Sequence, residues 1–133
     1  MNYPQFLLLH QAPNVRIHWH EHGKFLYADW IGYQEQEAGR AGGEKLLELL
    51  KLKGCSKVLN DNRNLEGPWH HSVEWTSSNW FPRMQEAGLK NFIWICPEGL
   101  LSYTSAKRAL PSGKLVRHFE HFDDALNYIL QLP

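Results

Sequence analysis

Eight histidines and six tryptophans stand out in a chain of 133 residues, and the histidines are the first place to look for chemistry. His18, His20 and His22 alternate with Trp19 and Glu21. On a strand, residues two apart point to the same side. Three imidazoles on one face are the ligand set of a catalytic zinc with an open fourth position. Same-face positions are ~6–7 Å apart along a strand, however, an awkward span for one ion. His22 also falls in the turn Glu21-His22-Gly23. The spacing favours the solvent face of a strand, and neither a metal nor another cofactor is expected.

A second group follows a short strand, Lys57 to Asp61. In open α/β sheets, ligands gather beyond the carboxyl ends of parallel strands, where loops feed helices. Asp61 opens the polar stretch there, and Arg63 offers a planar fork for a carboxylate or phosphate. Asn60 precedes Asp61, and Trp69, His70 and His71 follow Pro68 at the start of the next helix to complete the rim. Asp61, Arg63, Trp69 and His70 are therefore the candidate ligand- or partner-binding residues. The competing expectation is an Asp61–Arg63 pair that fixes the loop, with Trp69 folded over the core.

Trp75, Trp80, Phe81, Phe92 and Trp94 form a third group. Their spacing suits core or interface positions, and also a partner groove or an apolar ligand pocket. Enzyme signatures are missing: there is no Gly-x-Ser-x-Gly elbow and no His-Glu-x-x-His. Gly39 to Lys45 (GRAGGEK) superficially suggests a phosphate loop, but its spacing is wrong and it lies inside a helical pattern. Cys55 has no histidine partner in sequence, so no catalytic residue is assigned.

The elements that must hold these groups follow from periodicity. Phe6 to His10 reads as a strand. Val15, Ile17 and Trp19 alternate with Arg16, His18 and His20 as a second, and Lys24 to Trp30 returns as a third. Gln34 to Leu52 turns helical through Leu46, Leu47, Leu49 and Leu50, and Gly54 ends it. Gly39, Gly42 and Gly43 each cost that helix roughly 1 kcal/mol against alanine, so close approach of a neighbouring backbone is expected there. Lys57 to Asp61 is a short strand that runs straight into a polar loop, Asn60 to Gly67. A helix from Trp69 to Ala87 follows, and Pro82 should kink or break it near Ser78. Phe92 to Cys96 is an apolar strand buried on both faces. A helix within Pro97 to Ala109, a strand at Lys114 to Phe119 and a helix from Phe122 to Leu132, capped by Asp123 or Asp124, complete the chain. Strands alternating with helices imply one α/β domain over residues 1–133, with a mixed sheet whose later strands are parallel.

Acidic and basic residues balance at 14 each. A nucleic-acid binder draws most of its affinity from a basic face, and no such stripe is visible. No apolar run approaches the ~20 residues of a membrane span, and no secretory leader is recognisable. The two cysteines read as one exposed and one half-buried free thiol, which suits a cytoplasmic location.

Trp75 to Arg83 (WTSSNWFPR), Glu86 to Lys90 (EAGLK), the lead-in Lys57 to Arg63 (KVLNDNR), Trp30-Ile31-Gly32-Tyr33 and Phe122 to Leu126 (FDDAL) together resemble bacterial STAS-like proteins, more closely the SpoIIAA-like group. The resemblance covers the chain from about Arg16 onward. It implies a mixed four- or five-stranded sheet with helices mainly on one face. In the sporulation antagonists of that group, a serine at the start of the helix after the third strand is phosphorylated. Here the corresponding loop, Asp61 to Ser72, holds Ser72 in a setting that does not match. The expected function is a non-enzymatic regulatory module acting through protein contacts with an unidentified partner, with homodimer formation compatible. The alternative is a small-molecule or lipid binder with an aromatic-lined pocket between helix and sheet.

Overall fold

A computed structural model describes residues 5–111 and 113–133. Its sheet has six strands in strictly sequential order. The strands are β1 (Phe6–Ala12), β2 (Val15–His20), β3 (Phe25–Gly32), β4 (Lys57–Leu65), β5 (Asn91–Ile95) and β6 (Val116–Phe119). β1, β2 and β3 pair antiparallel, whereas β3 to β6 run parallel. The segment-by-segment reading finds all six, one or two more than the resemblance implies.

Each parallel step moves one position in the same direction, so right-handed crossovers put every connecting helix on one face. The helices are α1 (Gln36–Lys53), α2 (Val73–Trp75), α3 (Phe81–Glu86), α4 (Ser102–Ala109) and α5 (Phe122–Leu130). Between α1, α3, α4 and the sheet lies the larger core, which includes Ile17, Leu26, Leu46, Val58, Met84 and Phe92. α5 follows the last strand and turns back over the opposite face. There Phe122, Ala125, Leu126 and Ile129 meet Tyr27, Leu59, Ile93 and Ile95. The sheet is thus covered on both faces, although one face carries most of the helix.

Several expectations need correction. The stretch expected as a loop from Asn60 continues β4 as far as Leu65. Its polar side chains stay in the sheet because each finds a partner, as described below. α5 is preceded by His121 with no side-chain cap, and Asp123 and Asp124 sit in its first turn instead, where carboxylates favour the helix dipole. Both thiols are buried, Cys55 at 9% exposure and Cys96 at 0%. Burial pushes the Cys55 thiol up and that of Cys96 to about 11, so both stay protonated and unreactive near neutrality.

The helical run after β4 is broken up, as Pro82 requires. It passes from a 3-10 turn (His70–Ser72) through α2 into a π segment (Thr76–Trp80) and then α3, with Pro82 near the start of α3. Proline has no N–H to return to the carbonyl of Ser78 and its ring crowds that carbonyl; the wider π turn accommodates both. No helix of the described residues is long and apolar enough to cross a membrane.

Candidate functional site

The glycines of α1 lead to the site. What approaches them is indole, not backbone. A Cβ on Gly42 would lie 2.7 Å from Trp30, and one on Gly43 would lie 3.0 Å from Trp80 and 3.2 Å from Trp75. Three tryptophans from β3, α2 and the π segment therefore crowd a helix surface kept bare for them. Trp69, just before the 3-10 turn, adds a fourth.

Together these indoles and Phe92 wall a cavity of about 80 Å³, partly open to solvent, between the sheet and the helices. Gln34, Asn60, Asn62, Ser72 and Thr76 supply its polar lining, and no ionisable side chain of the described residues contributes to it. Its floor is β4, whose alternation sends Asn60 and Asn62 to this face and Asp61 to the other.

Most polar groups around the cavity are already committed. Trp30 Nε1 donates to Asn60 Oδ1 at 2.7 Å, and Asn60 Nδ2 donates to Asn62 Oδ1 at 3.1 Å. Trp80 Nε1 donates to the Gly43 carbonyl at 2.7 Å. Gln34 Nε2 donates to the carbonyls of Asn14 and Ile31, and its Oε1 accepts from Asn14 Nδ2. His71 Nε2 lies 2.9 Å from the Gln34 carbonyl. The Trp69 backbone N–H donates to Ser105 Oγ at 3.1 Å, which ties this rim to α4. Two groups are left over. Trp69 Nε1 and Ser72 Oγ are buried without a hydrogen-bond partner. Such orphans are uncommon in native structures and mark water, a ligand or strain.

The outer wall is latched. Two guanidinium groups approach the Trp75 ring, Arg40 at 5.4 Å and Arg83 at 6.0 Å. Arg83 spans the gap to α1 through both oxygens of Glu44, at 2.9 and 2.5 Å.

The four residues singled out from sequence do not converge. Asp61 is 0% exposed on the α5 face. It accepts the Tyr27 hydroxyl at 2.6 Å, the Arg63 backbone N–H at 3.0 Å and the Arg63 guanidinium at 2.8 Å. Arg63 in turn lies 5.0 Å over the Phe122 ring. Asp61 and its hydrogen bonds hold the guanidinium charge well above its ordinary range, and burial beside Asp61 pushes the Tyr27 hydroxyl far up. Next to this pair, burial raises the Asp29 carboxyl, which accepts Asn64 Nδ2 at 3.0 Å. Trp69 is on the opposite face, in the cavity wall, and His70 is exposed on the 3-10 turn. The aromatic group splits as well: Trp75, Trp80 and Phe92 line the cavity, while Trp94 stacks on Tyr103 at 5.4 Å.

The histidine strand is packed rather than open. Phe6 lies 6.2 Å from His18 and 5.0 Å from His20, and His20 stacks on Phe25 at 4.8 Å. His20 Nδ1 accepts the Gly23 N–H at 2.8 Å, and burial lowers the pKa of both His18 and His20. Among the described residues no group of three or more His, Cys, Asp or Glu side chains is arranged to hold a metal.

Sequence reasoning missed Gln34 and Asn62, and weighed Ser72 only as a phosphorylation position; Asn60 it placed in the rim with Asp61. The signal that was present is the glycine group inside α1, whose cost implied a close neighbour without saying which. No family model matches this chain, and no curated protein or solved structure does either.

Proposed function

We propose that this protein is a non-enzymatic binding protein of STAS-like architecture that takes a small molecule in the tryptophan-lined cavity. One observation carries the proposal. Four indoles converge on a cavity whose lining is otherwise apolar or amide and hydroxyl groups, with no ionisable side chain among the described residues. Ligand sites are concave and mostly apolar, with few convergent polar groups, and this cavity has that composition. The wall carries the hydroxyls of Ser72 and Thr76 but no ionisable side chain to activate them, which supports binding over catalysis. The expectation of a partner-binding loop draws less support, since Asp61 and Arg63 complete each other on the far face.

Native mass spectrometry of protein purified gently from its own cells tests this. A reproducible added mass of small-molecule size, lost in Gly43→Leu, is the expected result, because a leucine there fills the cavity. A bare chain, or one that carries only another protein, would overturn the proposal and favour the protein-contact alternative.

A further inference from the structure

We infer that the ligand is a small neutral molecule whose hydrogen-bond acceptor, a carbonyl oxygen or an unprotonated ring nitrogen, is taken by Asn62 Nδ2 on the floor of the cavity. This rests on the cavity being a ligand site and adds the chemistry of what enters it.

Three observations converge. The first is the direction of the hydrogen bonds along the floor. An indole N–H only donates, so Trp30 Nε1 fixes the Asn60 atom 2.7 Å away as the oxygen. Asn60 then turns its amide nitrogen to Asn62, and the atom it meets at 3.1 Å has to be an acceptor, Asn62 Oδ1. The row ends in the N–H groups of Asn62 Nδ2, which no acceptor among the described residues takes. Each bond polarises the next, which strengthens that last donor. The second is access. Trp69 Nε1 and Ser72 Oγ are sealed off, whereas Asn62 Nδ2 keeps open surface although the residue is only 3% exposed. Asn62 belongs to the cavity floor, so that surface gives onto the cavity. The strand is irregular at this point as well. From Asp29 to Ile31 β3 advances two residues while β4 advances three, from Asp61 to Asn64, the kind of bulge that redirects a side chain. The third is charge. Four indoles alone would also suit a cation, but no carboxylate lines the cavity, two guanidinium groups stand at Trp75 and the amide row ends in a donor. A full anion would lose its hydration with no cation in the lining to replace it. The partial negative charge of a neutral acceptor meets both conditions. The cavity, about 80 Å³, has about half the ~150 Å³ of an apolar pocket that accepts benzene, so the part that enters is smaller than a six-membered ring.

Four probes read this on the full chain. Thiazole is a flat five-membered ring with an acceptor nitrogen; thiophene has the same shape without it; pyrrole offers only a donor; tetramethylammonium is a cation without a donor. The readout is the indole and side-chain amide signals in nitrogen-15 NMR titrations, with those of Asn62 identified by their loss in Asn62→Leu. Thiazole should shift the Asn62 signals saturably and bind ~10-fold more tightly than any other probe, the penalty expected when a buried donor goes unanswered. In Asn62→Leu the ratio of thiazole to thiophene affinity should fall to about 1, whereas damage to the fold alone would weaken both and leave the ratio in place. Equal binding of thiazole and thiophene to the parent chain, or tightest binding of pyrrole or tetramethylammonium, overturns this inference while leaving the cavity a ligand site. If no probe moves an indole or amide signal of the cavity, both the cavity proposal and this inference fall. Should Asn62→Leu fail to fold, the ranking of the four probes on the parent chain decides by itself, since affinities need no assigned signal.

Discussion

Asp61 illustrates how a buried charge is made tolerable. Its carboxylate is wholly enclosed yet accepts from a tyrosine hydroxyl, a backbone N–H and a guanidinium, so the desolvation cost is met by hydrogen bonds rather than by Coulomb attraction alone. Removing one partner of such a set strands the rest. Asp61→Ala is expected to cost about 3 kcal/mol in urea denaturation, because the Tyr27 hydroxyl and Arg63 lose their acceptor. The cavity should be unaffected, since Asp61 faces away from it, and that pairing of effects separates a structural residue from a binding one. The sequence carried the Asp61–Arg63 pair as one of two readings but held no sign of Tyr27, 34 positions away. The histidines follow opposite logic. Burial holds His18 and His20 below the ordinary 6.5, so the fold favours their neutral forms. Between the folded pKa and 6.5 the unfolded chain binds more protons, so stability is full above about pH 6.5 and falls as pH drops through that window. Urea midpoints should therefore decrease between pH 7.5 and 5, and less steeply in His18→Gln.

At the scale of elements, α1 accepts the weakness of Gly42 and Gly43 because each makes room for an indole ring. The two positions should respond differently to alanine. Gly42→Ala drives a Cβ to 2.7 Å from the rigid Trp30 ring and should cost about 1–2 kcal/mol in spite of better helix propensity. Gly43→Ala meets Trp80 and Trp75 at 3.0 and 3.2 Å, so its gain in propensity of ~1 kcal/mol roughly offsets the crowding. Its thermal midpoint should stay near that of the parent, while the midpoint rise given by a bound ligand shrinks. The π segment offers a sharper test. Removing Ser78 returns that turn to α geometry and rotates its two flanks by ~100° relative to each other. Trp75 and Trp80 then cannot both line the cavity; circular dichroism should stay helical while ligand binding is lost. Periodicity made the strands and long helices legible, and Pro82 made the irregularity near Ser78 legible. The far end of β4 was not legible. Asn60, Asp61, Asn62, Arg63 and Asn64 have the composition of a loop, and only the partners of Asn60, Asp61 and Asn64 on β3 reveal a strand.

For the whole molecule, the cavity was out of reach of sequence because its wall comes from β3, β4, β5, α1, α2, α4 and the turns between them, and periodicity assigns faces without saying which faces meet. The excess of tryptophan was visible; its convergence was not. The second core is as consequential as the first. Phe122, Leu126, Ile129 and Ala125 of α5 are buried against the sheet, and at roughly 1.5–3 kcal/mol per large side chain they contribute an amount comparable to the ~5–15 kcal/mol stability of a typical domain. A chain ending at Glu120 is expected to lose its cooperative melting transition and to bind the dye ANS. The strictly sequential strand order has a further consequence for synthesis. As the chain leaves the ribosome, each new strand can dock on the one just made, and no strand must wait for a partner still to come. The helix-rich face is closed piece by piece as the chain emerges. The opposite face stays bare from the arrival of β3 until α5 is released, so nascent chains that have passed β4 display Tyr27, Leu59 and their neighbours as a greasy strip, and the stretch of translation before α5 emerges is when a chaperone matters most.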